Sequence, residues 1–126
     1  MNQRIINTPQ APAPIGPYNQ AVFAGDLLFI SGQICISPVT GEMNNSDIKQ
    51  ETRQVMENLR AILTAAGMDF THVVKTSIFI TDMKQFSEIN EVYGSFFSSS
   101  FPARETVQVA ALPKFVNVEI SMIASK

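Results

Sequence analysis

The sequence predicts an α+β fold in which two helices cover one face of a β-sheet. Two segments repeat apolar residues every three or four positions, which is the spacing of one buried helical face. Six other segments are rich in β-branched residues or alternate apolar and polar side chains, as strands do. Their order is β-β-β-α-β-α-β-β over residues 1–126 with no linker, so we expect a single domain.

The first three strands are predicted at residues 4–7, 20–24 and 27–34. Three prolines before the second strand forbid regular pairing there, because proline has no backbone N–H to donate. The pair Gly25-Asp26 predicts a tight hairpin between the second and third strands. Gly32 interrupts the third strand, and a glycine at such a place indicates a β-bulge or a close approach of the backbone to a ligand.

The first helix follows a polar loop and has signals at both ends. Asp47 with Gln50 three residues later resembles a capping box, and Gly67 lies where a C-terminal cap belongs. One apolar stripe is expected to face the sheet, formed by Ile48, Thr52, Val55, Leu59, Ile62 and Ala66.

The second half of the chain predicts a central strand at residues 73–81 that is covered on both faces, because polar residues are few there. Asp82 with Gln85 offers a second capping box, for a helix that we expect to bury Phe86, Ile89, Tyr93, Phe96 and Phe97. Residues 102–113 and 116–123 are then interpreted as a closing hairpin with one apolar face.

This hairpin is expected to carry a guanidinium and a carboxylate on its polar face. Alternation places Arg104 and Thr106 on one face of its first strand and Glu119 on one face of the second. Two interpretations follow from spacing alone: a structural ion pair across the hairpin, or part of a binding site, since a guanidinium fork binds carboxylates through two parallel hydrogen bonds.

Composition narrows the classes of function. A net charge of −2 and a pI near 5.3 give no electrostatic signal for nucleic acid. One histidine and one cysteine leave no material for a metal cluster or a Cys-His nucleophile, so we expect no metal site. The lone cysteine, the start without a secretion signal and the lack of a membrane-spanning apolar run predict a cytoplasmic protein.

Short motifs along nearly the whole chain resemble, in order and spacing, the RidA (YjgF) family of imine deaminases. They are Gly16-Pro17-Tyr18, Ser31-Gly32-Gln33-Ile34, Thr40-Gly41-Glu42, Asn58-Leu59, Ala65-Ala66-Gly67, Thr81-Asp82-Met83, Asn90 with Tyr93, Phe96-Phe97, Pro102-Ala103-Arg104, Leu112-Pro113 and Val118-Glu119-Ile120.

The resemblance implies a chorismate-mutase-like (YjgF-like) fold that assembles as a homotrimeric barrel, with sites between subunits. A partner chain then covers the sheet face that two helices leave bare. The implied activity is hydrolysis of reactive 2-imino acids or their enamines, such as 2-aminoacrylate and 2-iminobutanoate, to 2-keto acids and ammonia. It implies no cofactor, and a role in limiting metabolite damage.

The resemblance also implies roles for individual residues. Arg104 binds the substrate carboxylate, and Glu119 positions or activates the attacking water. The backbone at Gly32 and Thr106 contacts substrate, while Tyr18 and Asn90 shape the pocket. Many relatives have cysteine at the position of Thr106, which leaves the backbone contact unaffected.

Two other functions remain open at this stage. A regulatory protein could bind small carboxylates through Arg104 without turning them over. An endoribonuclease is the second alternative, because such activity is associated with parts of the family, although the acidic pI argues against it.

Overall fold

The computed structural model describes residues 3–126 as a mixed six-stranded sheet with two α-helices. The elements are β1 (Gln3–Ile6), β2 (Ala21–Ala24), β3 (Leu27–Gln33), α1 (Ile48–Ala65), β4 (Val73–Ile80), α2 (Phe86–Gly94), β5 (Ala103–Gln108) and β6 (Val118–Ser125). Across the sheet the strands lie in the order β1-β2-β3-β6-β4-β5. The predicted succession of six strands and two helices is confirmed.

The predicted hairpin between the last two strands is wrong. β5 pairs in parallel with β4, whereas β6 pairs antiparallel with both β3 and β4. A parallel pair needs a crossover, and α2 provides it between β4 and β5. The nine residues 109–117 then cross the end of β4, and β6 pairs with β4 on the side opposite to β5. The apolar strand β4 therefore has a neighbour on each side.

The two faces of the sheet differ. The helix face packs against α1 and α2, and β6 contributes to it with Val118, Ile120, Met122 and Ala124, all buried. The opposite, open face carries the alternate residues of β6, and no part of residues 3–126 covers it. Phe29 and Val107 on that face are each more than 40% exposed. The prediction of two helices on one face is therefore confirmed, and β4 is internal but covered on one face only.

α1 begins and ends close to the predicted residues. The Asp47 carboxylate accepts a hydrogen bond from the backbone N–H of Gln50 at 2.8 Å, and Gly67 adopts a left-handed φ of +75° after the last turn. The predicted apolar stripe of the helix is buried throughout. Asp82, by contrast, caps a short 3₁₀ turn, Met83–Gln85, through the N–H of Lys84, and α2 begins one turn later than predicted.

The Gln20 side chain organises the proline-rich segment. Its Nε2 donates to the carbonyl oxygens of Thr8, Ala11 and Pro12, and its Oε1 accepts from the N–H of Thr8 at 2.7 Å. Since Gln20 is only 2% exposed, one buried amide replaces the sheet hydrogen bonds that prolines forbid. The segment before Tyr18 thereby follows a defined course.

A buried carboxylate joins α1 to the start of β6. Glu51 is fully buried and accepts hydrogen bonds from the Asn117 N–H, the Asn117 Nδ2 and the Val118 N–H at 2.7–3.1 Å. A buried charge is tolerated only when such donors surround it. Glu51 therefore fixes where β6 begins.

We expect Glu51→Ala to lower the free energy of unfolding by about 3 kcal/mol or more, because three buried donors lose their acceptor. Urea unfolding followed by circular dichroism measures the change. Glu57→Ala is the matched control on the same helix. Glu57 is exposed and, among the residues that the structure describes, pairs only with Arg60, so its loss should cost less than about 1 kcal/mol. Equal effects of the two substitutions would contradict the structural role of Glu51.

Candidate functional site

Arg104 on β5 reaches the helix face and lies against α2. Its Nη1 donates to the Asn90 side-chain oxygen at 2.5 Å, and its guanidinium lies over the rings of Phe86 and Tyr93. A pocket of about 320 Å³ adjoins it, and we call this pocket the first half-site. It is lined by Asn90, Tyr93, Gly94, Phe101, Pro102 and Arg104.

Thr106 lies two residues along β5, on the same face as Arg104. It pairs with the buried Ile78 of β4, as Arg104 pairs with Thr76. Its Oγ1 is buried and has no hydrogen-bond partner within residues 3–126. A buried hydroxyl without a partner is uncommon and costly, so this atom is a candidate contact for a molecule outside the chain.

The second half-site is formed by Tyr18, Gly32 and Glu119. Tyr18 and Gly32 line one small pocket, and the Glu119 side chain packs directly against Gly32. The bulge predicted at Gly32 is present, since the pairing of β3 with β6 shifts register between Ile30 and Gln33. A Cβ on Gly32 would lie 2.5 Å from Glu119 Oε2, so the glycine leaves the space that this carboxylate occupies.

Glu119 is half-buried, and burial raises the pKa of its carboxyl above the ordinary value. Within residues 3–126, no hydrogen bond or salt bridge to its carboxylate is present. A carboxylate of this kind is suited to exchanging protons with water or with a ligand.

The two half-sites lie on opposite faces of the sheet, so the expectation that Arg104 and Glu119 share one face is wrong. Arg104 is opposite Thr76 on β4, whereas Glu119 is opposite Phe79. Positions 76 and 79 differ by an odd number, and alternate strand residues point to opposite faces. The structural ion pair expected from spacing is excluded for the same reason.

Sequence reasoning did not assign Phe86, Tyr93 and Phe101 to a site. Phe86 and Tyr93 were expected only to pack in the core, yet with Asn90 they form an i, i+4, i+7 stripe of α2 that faces Arg104. That spacing is visible in the sequence. The parallel neighbour that directs Arg104 toward it is not.

The lone cysteine and histidine lie outside both half-sites. Burial, with a smaller contribution from Glu51, raises the pKa of the Cys35 thiol to about 11, which leaves it protonated and unreactive. His72 Nδ1 accepts from the N–H of Asp69 and completes a capping box at a 3₁₀ turn. Within residues 3–126, no group of three or more His, Cys, Asp or Glu is placed to hold a metal ion, and no helix is long and apolar enough to cross a membrane.

The sheet order and helix placement define the α+β, chorismate-mutase-like (YjgF-like) class of fold. The YjgF gene product of E. coli superposes with a TM-score of 0.94 at 43% identity, over 98% of each chain. E. coli TdcF, whose crystal structure contains bound serine, gives a TM-score of 0.94 at 45% identity, again over 98% of each chain.

The family model described as Endoribonuclease L-PSP matches residues 8–126. A RutC family protein of Pyrococcus horikoshii is 52% identical over 98% of each chain. The 2-iminobutanoate/2-iminopropanoate deaminase of Homo sapiens is 45% identical over 97% of this chain and 89% of its own. The chain therefore belongs to the RidA (YjgF) family.

We expect Gly32→Ala to lower the free energy of unfolding by about 1–3 kcal/mol, because the new methyl group crowds the Glu119 carboxylate. In a Glu119→Ala background the crowded atoms are gone, so the loss should largely disappear. A double-mutant cycle by denaturant unfolding measures this coupling. Gly16→Ala is the control, since its Cβ would meet only the Tyr18 ring at an ordinary 3.5 Å. An equal cost of Gly32→Ala in both backgrounds would contradict the contact.

Proposed function

We propose that the protein hydrolyses reactive 2-imino acids and their enamines to 2-keto acids and ammonia, which limits damage by these metabolites. One observation carries the proposal: Arg104 is held beside an open pocket by neutral groups, with its charge available for a substrate carboxylate. Family membership and the name of the human relative support the same activity.

The complete site is proposed to form between subunits of a homotrimer. Arg104 and Glu119 lie on opposite faces of one chain, so a single chain does not bring them to one substrate. In a cyclic trimer, the first half-site of one subunit faces the second half-site of its neighbour. The exposed apolar residues of the open face, Phe29 and Val107 among them, support such an assembly.

The chemistry requires positioning rather than a strong nucleophile, because a protonated imine carbon is already electrophilic. Arg104 binds the carboxylate and Glu119 orients a water molecule. The water oxygen bonds to the imine carbon while its proton passes to the Glu119 carboxylate. The raised pKa of Glu119 favours this acceptance. Glu119 then returns the proton to the amino group, and ammonia leaves as the carbonyl forms. The Glu119 carboxylate accepts the hydroxyl proton and passes it to the released ammonia, which becomes ammonium.

The remaining predicted residues are assigned supporting contacts. Asn90 and Tyr18 shape the pocket from the two half-sites, while the backbone of Gly32 and Thr106 contacts the substrate. The unpartnered Thr106 Oγ1 supports a ligand at this place. No step of this reaction transfers electrons or needs an activated carrier, so the proposal includes no cofactor.

We expect the purified protein to accelerate keto-acid release from an imine generated in situ by an amino-acid oxidase. Arg104→Ala should reduce kcat/KM more than a hundredfold, which corresponds to a loss of about 3 kcal/mol in transition-state stabilisation, since the carboxylate loses a bidentate partner. The matched control is Arg60→Ala. Arg60 also lies over two phenyl rings, Phe70 and Phe96, but outside both half-sites. A wild-type protein without acceleration, or an active Arg104→Ala variant, would overturn the proposal.

A subunit-mixing experiment tests the shared site. Arg104→Ala and Glu119→Gln should each be inactive alone, whereas rings reassembled from equal amounts should recover about a quarter of wild-type activity. About three-quarters of such rings contain both variants, and each has one intact site of three. Light scattering should give a mass near 42 kDa, three times 13.9 kDa. Failure of mixed rings to recover activity would place both residues in sites of one subunit.

A carboxylate-binding regulatory protein is the second candidate, favoured by the structure of TdcF with bound serine. Calorimetric binding of 2-ketobutyrate together with an inactive imine assay would favour this candidate. The family description as an endoribonuclease supplies a third assay, RNA cleavage. Cleavage that persists in Arg104→Ala would assign that activity to a different surface.

A further inference from the structure

The guanidinium of Arg104 is held from one side by a single helix stripe. Its Cζ lies 5.5 Å from the centre of the Phe86 ring and 5.2 Å from the centre of the Tyr93 ring. Both distances fall within the range of cation–π attraction. Asn90, between these two residues on the stripe, accepts the hydrogen bond from Nη1. Three side chains at i, i+4 and i+7 of α2 thus contact one side chain of β5.

The Tyr93 ring is itself fixed in place. It is 3% exposed, its hydroxyl donates to Thr76 Oγ1 at 3.0 Å, and its ring contacts Phe97 with centres 4.9 Å apart. Burial raises the pKa of the Tyr93 hydroxyl, which therefore remains a neutral donor to Thr76. A ring held at its tip and along its side presents its face to Arg104 in one orientation.

In the described part of the chain, the groups that hold Arg104 are all neutral. Within residues 3–126 no carboxylate forms a salt bridge with it, whereas Lys49, Arg60 and Lys75 each have one. An acidic partner would compete directly with a bound carboxylate. Ring faces and an amide oxygen hold the guanidinium without cancelling its charge.

We propose that Phe86 and Tyr93 are positioning residues, which hold the Arg104 guanidinium in a fixed orientation and leave its charge available to a ligand carboxylate. This inference rests on the proposed function for its kinetic consequences, although the orientation of Arg104 is a property of the unliganded protein. The two residues act through Arg104 and are not assigned a contact with substrate.

The first test measures Arg104 directly. The side-chain Nε–Hε signal of Arg104 in ¹⁵N NMR relaxation should be rigid in the wild-type protein and in Tyr93→Phe, which keeps the ring. It should become mobile in Tyr93→Leu and Phe86→Leu, which remove one ring each. Phe96→Leu is the matched control, because it removes the ring 4.9 Å from Arg60 and should mobilise Arg60 alone. An equally rigid Arg104 in folded Tyr93→Leu and Phe86→Leu would overturn the proposal.

The second test measures the ligand. Tyr93→Leu should weaken 2-ketobutyrate binding in calorimetry about tenfold, and should raise KM for the imine similarly with kcat within about twofold, because the carboxylate contact is equal in ground and transition states. Tyr93→Phe should stay within about threefold of wild type, and Phe86→Leu gives an independent reading if Tyr93→Leu does not fold. In an Arg104→Ala background, Tyr93→Leu should cause no further loss of binding.

Failure of this inference is distinguishable from failure of the proposed function. An inactive wild-type protein whose Arg104 is rigid and loses order in Tyr93→Leu would overturn the deaminase and support the positioning role. If the wild-type protein is active, and Tyr93→Leu changes neither KM nor the order of Arg104, the deaminase proposal is supported and the positioning role is overturned. If Tyr93→Leu weakened binding as much in the Arg104→Ala background as it does in the wild-type protein, Tyr93 would have a direct role and the inference would be overturned.

Discussion

The three hydrogen bonds that Glu51 accepts from Asn117 and Val118 set the register of β6, on which the second half-site depends. They fix the first residue of β6, and the strand then alternates between the helix face and the open face. A shift by one residue would exchange Glu119 with a core residue and bury a carboxylate among apolar side chains. Because β6 lies between β3 and β4, its register also determines how Gly32 meets Glu119.

The separation of charges follows from the same alternation. Arg104 and Glu119 are side chains of opposite charge, and in one chain they cannot neutralise each other because they lie on opposite faces of the sheet. Each has a neutral or apolar surrounding: ring faces and an amide for Arg104, and the Gly32 backbone with partial burial for Glu119. Both charged groups can therefore still bind a ligand, although each is less well hydrated than it would be in water.

Local features of the fold were predictable from the sequence because local interactions cause them. The cap at Asp47, the left-handed Gly67 and the bulge near Gly32 depend on residues within a few positions. The partner of β5 was not predictable in this way, since alternation assigns residues to two faces of a strand but does not say which neighbour it meets. Arg104 and Thr106 were thus correctly placed on one face of β5, but that face is the helix face and not an open polar face, and Arg104 was wrongly placed beside Glu119. Family motifs supplied the residues of interest, and only the sheet order supplied their geometry.

The buried amide of Gln20 has a consequence for how this sequence can vary. Its hydrogen bonds go to backbone groups of Thr8, Ala11 and Pro12, so a single side chain outside that segment determines the path of its backbone. The side chains of Pro9 and Gln10 are exposed and take no part in those bonds. Evolution or design can therefore change these two side chains while the glutamine preserves the path of the segment.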